Sequence, residues 1–134
     1  MARLKIDIVT PERRVAQAEA DELVAPGAQG LFGVRPGHEA YLAALQAGPL
    51  TVREGSTSTT WFVSGGFVEA GPAAVRVLAD SAELLEAIDV AAADKRITDA
   101  EAKLAQFAPA DPRGDVWRDA IRVERKRIEV SKLK

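Results

Sequence analysis

A single histidine, His38, and the absence of cysteine set the chemical limits of this 134-residue chain. Thiolate metal sites, Cys–His pairs and His-rich zinc cages all need residues it lacks. A Ser-His-Asp arrangement would have to use His38, and no Gly-x-Ser-x-Gly elbow is present to present a nucleophile. Ser64 stands directly before Gly65-Gly66, where a small residue serves a backbone bend or bulge. The carboxylates are scattered and single out no acid–base pair. Gly30-x-x-Gly33-x-x-x-Gly37 is neither a dinucleotide fingerprint nor a Walker sequence, and no helical pattern opens after it to hold a phosphate. These residue types point away from catalysis, and His38 reads as a hydrogen-bonded or interface side chain.

The stretch Gly30 to Glu39 remains unusual. Three glycines and a proline in ten residues make it a poor helix and a poor strand interior, so a loop is expected. Leu31, Phe32 and Val34 are bulkier and more apolar than a solvated linker needs. A glycine-dense turn that displays apolar groups is a contact surface in the making.

The elements that position this stretch fall into two kinds. Leu4, Ile6 and Ile8 alternate with charged residues, as in a half-buried strand that ends near Thr10-Pro11. Arg14–Ala20 and Glu22–Ala25 follow, the second stopped by Pro26-Gly27. Tyr41–Leu45 reads as a strand or a turn of helix. Leu50–Glu54 and Thr59–Val63 flank a Gly-Ser-Thr-Ser turn and read as a hairpin, and Phe67–Ala70 with Ala74–Leu78 as another. Short strands with frequent turn signals indicate an all-β sandwich or barrel.

From Asp89 the period changes. Ala93, Ile97, Ala100, Leu104 and Phe107 fall on one helical stripe, with Asp89 as N-cap and Asp94 near the favourable end of the helix dipole. Pro109 to Gly114 breaks the helix. Asp115 can cap a second one, with Trp117, Ile121 and Ile128 on its stripe. The short connection predicts an antiparallel hairpin with a narrow seam.

Charge changes at the same place. Net charge is −2 overall, but residues 1–87 carry −4 and residues 88–134 carry +2. The second helix with its tail holds seven basic and four acidic groups. This argues for a β-sandwich docking domain over 1–87 and a helical hairpin over 88–134. The modest net charge predicts no general nucleic-acid affinity. Charges in Met1 to Asp7 interrupt any signal-peptide core, and no apolar run reaches the roughly 18 residues of a membrane span, so direct membrane insertion is not expected.

Four ordered motifs carry a resemblance: Val9-Thr10-Pro11-Glu12-Arg13; Gly30-x-x-Gly33-Val34-x-Pro36-Gly37-His38; Gly65-Gly66-Phe67-Val68-Glu69; and Val77-Leu78-Ala79-Asp80. Together they resemble the epsilon subunit family of the bacterial F-type ATP synthase, whose mitochondrial counterpart is the delta subunit. The resemblance runs over essentially the whole chain. It implies a ten-stranded β-sandwich followed by two antiparallel helices, in a non-catalytic central-stalk subunit. That subunit couples proton flow to ATP synthesis on the cytoplasmic face of the bacterial membrane, to which it is peripheral.

The implied partners are the gamma subunit, the c-ring and, when the hairpin extends, the catalytic beta and alpha subunits. By resemblance Gly30, Leu31, Phe32, Gly33, Val34 and Arg35 face the c-ring, while His38 and Tyr41 lie toward gamma. Leu31 stands where many relatives carry an acidic or polar residue, making this contact more apolar. The second helix is implied to inhibit ATP hydrolysis, with Arg118, Arg122, Arg125 and Lys126 meeting an acidic segment of beta.

Some relatives bind ATP through an Ile/Leu-Asp-x-x-Arg-Ala motif at the start of the first helix. Here it reads Ile88-Asp89-Val90-Ala91-Ala92-Ala93. Ala92 in place of the arginine removes a charge-assisted phosphate contact, so no cofactor is expected. Asp89, with Arg96 one turn beyond Ala92, is what remains of a nucleotide site. The residues alone leave one alternative open: a free-standing sandwich that binds a ligand and carries a helical appendage.

Overall fold

The computed structural model describes residues 3–134. Met1 and Ala2, the start of the charged amino-terminal stretch, lie outside the described residues. The chain divides into two compact units, one ending at Leu84 and one spanning Leu85–Lys134. The division falls three residues before the change at 87/88 read from composition, because the 3-10 turn Leu85–Ala87 belongs with the helices.

The first unit holds ten strands: β1 Leu4–Val9, β2 Arg14–Ala20, β3 Glu22–Gly27, β4 Gly30–Val34, β5 Tyr41–Leu45, β6 Gly48–Glu54, β7 Thr57–Val63, β8 Gly66–Ala70, β9 Ala74–Ala79 and β10 Ala82–Leu84. They pair in the order β10-β7-β6-β3-β5-β8-β9-β1-β2, with β4 on β3. Only β1 and β9 pair in parallel among the described strands. Alternate residues of β1, β6, β8 and β9 point inward. Leu4, Ile6, Ile8, Leu50, Val52, Val68, Val75 and Val77 join Leu23 and Val63 in one core. Each such side chain contributes roughly 1.5–3 kcal/mol on burial, so aliphatic residues hold this sandwich despite the scarcity of aromatics.

Two expectations change here. The stretch opening at Gly30 is not a loop: Gly30–Val34 is strand β4, in register with β3 from Gly27↔Gly30 to Leu23↔Val34. Its two-residue connection, Ala28-Gln29, stays at negative φ, and the left-handed step falls on Gly30 at φ 118. Strand β3 also runs through Pro26-Gly27 instead of stopping before them. The proline is tolerated because β3 pairs with β6 only over Glu22–Val24 and meets β5 only at Gly27. Pro26 sits in that gap, where no ladder donor is missed. Its carbonyl accepts from the Gln46 amide at 2.8 Å.

The second unit contains α1 Val90–Leu104 and α2 Asp115–Ser131. Asp89 caps α1, its carboxylate accepting from the Ala92 amide at 3.0 Å. Ala93 and Ala100 are buried, and Ile97 and Leu104 are half-buried on the expected stripe. Phe107 falls beyond the end of α1, where the chain is already turning. Asp115 is the first residue of α2 and not its cap. The N-cap of α2 is Gly114, which offers no side-chain bond, while Asp111 caps the preceding 3-10 turn Pro112–Gly114 and accepts from the Arg113 amide at 2.9 Å. On α2, Ile121 is buried while Trp117 and Ile128 are half-buried.

Candidate functional site

Strand β4 pairs with β3 as half of a hairpin, and its side chains alternate in fate. Leu31 is 62 % exposed at the tip, Phe32 is half-buried against the core, and Val34 is fully buried. Val34 is therefore a core residue whose side chain is not available to a partner, which corrects its inclusion in the contact set. Gly30, Leu31, Gly33 and Arg35 are exposed.

The base and tip of this hairpin are pinned. Arg35 Nε donates to Glu22 Oε2 at 3.0 Å, and Arg53 Nη2 donates to Glu22 Oε1 at 3.4 Å. A Cβ on Gly33 would stand 3.0 Å from Glu22 Oε2, so glycine leaves the carboxylate its place. At the turn, Gln46 Nε2 donates to the Gly27 and Ala28 carbonyls. Glu22, Arg53 and Gln46 were not singled out from sequence. Their partners lie up to 31 residues away, and only the pairing of β3 with β4 and β6 brings them together.

His38 and Tyr41 meet Phe32 in a short aromatic chain. The His38 and Tyr41 rings lie 4.8 Å apart, and the Phe32 and Tyr41 rings 6.1 Å apart and edge to face. The residues assigned to two different partners are thus contiguous. His38 is exposed, with Nδ1 3.0 Å from the Glu39 carbonyl. Burial pushes the Tyr41 hydroxyl above its ordinary pKa. The segment is tied down by Gly37, at φ 88, whose amide donates to the Pro72 carbonyl at 2.8 Å.

A second surface was not read from sequence at all. Register pairs Ala44 with Phe67, Phe67 with Leu78, and Leu78 with Val9. These four residues form a lateral row on the outward side of β5, β8, β9 and β1. Phe67 is 51 % exposed, Leu78 37 % and neighbouring Leu42 66 %. Directly paired residues place their Cβ atoms about 4.5–5.5 Å apart, so the row is a continuous apolar strip. The signal was present as Phe67 and Leu78 at outward positions of period-two strands, but lateral adjacency requires the register.

In the helical unit, the four basic residues expected to meet a partner all have internal ones. Arg118 binds Asp115 at 2.6 Å and the Asp111 and Pro109 carbonyls at 3.1 and 2.7 Å. Arg122 pairs with Asp119, Lys126 with Glu129 at 3.3 Å, and Arg125 with Glu101 at 3.8 Å. Most of these pairs are exposed and individually weak, so they can exchange for other carboxylates. Asp89 is engaged as the α1 cap, and Arg96 Nε donates to Glu124 Oε1 at 2.6 Å.

The family described as ATP synthase, Delta/Epsilon chain, beta-sandwich domain matches residues 3–85. The ATP synthase epsilon chain of Myxococcus xanthus is 43 % identical over 128 residues, covering 96 % of this chain and 94 % of its own. That of Dehalococcoides mccartyi is 49 % identical over 105 residues, covering 78 % and 75 %. A chain in the cryo-EM structure of the Euglena gracilis mitochondrial ATP synthase superposes with a TM-score of 0.78 at 22 % identity, covering 94 % of this chain and 79 % of its own. A chain of the Tetrahymena thermophila mitochondrial ATP synthase central stalk and c-ring gives 0.61 at 15 % identity, covering 93 % and 96 %. At those identities the likeness is one of fold.

Proposed function

The chain belongs to the ATP synthase delta/epsilon family, as an epsilon chain, and from that premise we propose how its surfaces divide the work of a non-catalytic rotor subunit. The sandwich docks on gamma through the apolar strip of Ala44, Phe67, Leu78 and Val9, with Leu42 beside it, and His38 and Tyr41, which pack on Phe32, lie toward gamma as well. The β4 tip, led by Leu31 with Gly30, Gly33 and Arg35 around it, meets the polar loops of the c-ring. The protein thereby links the catalytic sector to the proton-driven ring and is held at the membrane through that complex. No helix among the described residues is long and apolar enough to cross a membrane.

The observation that carries this reading is the strip itself. Contiguous exposed apolar side chains on a sheet face mark a protein interface more often than chance exposure does. An aromatic at the centre of such a patch is the usual anchor of binding energy.

The helical hairpin supplies regulation. When extended, α2 inhibits ATP hydrolysis as Arg118, Arg122, Arg125 and Lys126 exchange their internal carboxylates for those of an acidic segment of the beta subunit. The test of the docking reading is co-elution: the full chain mixed with purified gamma subunit is expected to run as one complex. Separate elution at micromolar concentrations contradicts it.

A further inference from the structure

Among the described residues, Glu124 is the one carboxylate-bearing residue that is buried. Two guanidinium groups hold it. From α1, Arg96 Nε donates to Oε1 at 2.6 Å. From the next turn of α2, Arg127 Nε donates to Oε1 at 3.1 Å and its Nη2 donates to Oε2 at 3.2 Å. The Glu124 side chain is 9 % exposed, Arg127 14 % and Arg96 50 %. A second ion pair across the seam, Arg125 with Glu101, is long at 3.8 Å and exposed at both ends.

The fully buried apolar part of the seam is small, with Ile97, Leu104, Trp117 and Ile128 half-buried on the helix stripes. The buried residues of α1 are Ala93 and Ala100, and α2 answers with Ile121 and Val130. Alanines bring few carbons to the buried centre of the interface, and there the charged cluster joins the two helices. A buried ion cluster adds little over a well-packed apolar one, but it strongly penalises any arrangement that leaves a member without its partner. It therefore specifies which surfaces meet and in what register.

We propose that Arg96, Glu124 and Arg127 form the latch of the helical hairpin: Arg127 orients the Glu124 carboxylate on α2, and that carboxylate holds α1 through Arg96. Separating the helices breaks the 2.6 Å bond and leaves Arg127 on Glu124, so one cross-helix link is made or broken as a unit. The latch does not depend on the inhibitory role proposed above. Only its consequence for hydrolysis does.

The full chain has no cysteine, so nitroxide labels at Lys95→Cys and Lys132→Cys report the α1–α2 distance by pulsed electron resonance. The latched protein is expected to give a single short distance. Glu124→Gln is expected to raise the long-distance fraction about tenfold or more, in line with the penalty for leaving a buried ion unpaired. Arg96→Gln should do the same, and the two together should do no more than the larger single change. An unchanged distance distribution in Arg96→Gln, or effects of the two substitutions that simply add, overturns the latch. Far-ultraviolet circular dichroism guards the reading. Should Glu124→Gln lose helicity, Arg96→Gln, whose side chain is half exposed, decides the matter alone. In the reconstituted ATP synthase, separated helices with unchanged hydrolysis would keep the latch and remove the inhibitory reading.

Discussion

At the scale of single residues, exposure separates what a contact list drawn from sequence alone had joined. Leu31 and Val34 stand three positions apart in one strand, yet the first is 62 % exposed and the second fully buried. Leu31→Asp is accordingly expected to leave the sandwich intact, with a stability change within about 0.5 kcal/mol. ATP-driven proton pumping by the assembled mutant should weaken, and unchanged pumping removes the β4 tip from the c-ring contact.

The Asp111–Arg113 pair offers a second test at this scale. Bonds from the Arg113 guanidinium and amide hold the Asp111 carboxyl below its ordinary range. A lowered folded-state pKa means that the pair's contribution is present above the unfolded carboxylate value, about 3.9, and is lost as pH falls through the lower folded value. In an NMR titration Asp111 should therefore have its midpoint below the ordinary one, and Arg113→Gln should return it upward.

At the scale of elements, the bend between β7 and β8 decides whether the apolar strip exists. Gly65 and Gly66 hold φ values of 144 and 134, and a Cβ on Gly66 would overlap the Leu78 carbonyl. Gly66→Ala should cost about 3 kcal/mol or more, since backbone strain and a main-chain clash act together. A urea midpoint within error of wild type contradicts that account of the bend.

The legibility of the elements followed the range of the forces behind them. Alternation in Leu4–Ile8 and Ala74–Leu78, and the stripe from Ala93 to Leu104, are local patterns, and each emerged as the expected strand or helix. Strand β4 did not, because its glycines argue against a strand when read alone. Its register with β3, the Gln46 bonds at its turn and the Glu22 cluster at its base are long-range contacts that outweigh propensity. Asp115 is not the cap for a smaller reason: the 3-10 turn Pro112–Gly114 runs directly into α2, so Gly114 takes the cap position and Asp111 caps the turn instead. At the surfaces, the resemblance directed attention to β4 and His38. The strip through Phe67 and the buried Glu124 needed pairing partners from distant strands or the facing helix.

At the scale of the whole molecule, the chain forms two compact units, the first proposed for docking and the second for regulation. Removing residues 115–134 deletes α2 together with the four basic residues assigned to the beta subunit. ATP hydrolysis by the complex is expected to rise. A rate equal to that of the intact complex shows that this helix does not inhibit.

The central claim is that the apolar strip is the surface by which the sandwich joins the rotor. Isothermal titration of the gamma subunit with the intact chain and with Phe67→Asp tests it most directly. Phe67 is half exposed, so the folded sandwich should tolerate the change, with thermal unfolding close to that of the intact chain. Affinity for gamma should fall by about thirtyfold or more, as expected for a central aromatic anchor. Equal affinities in the two titrations, with both proteins folded, contradict the claim.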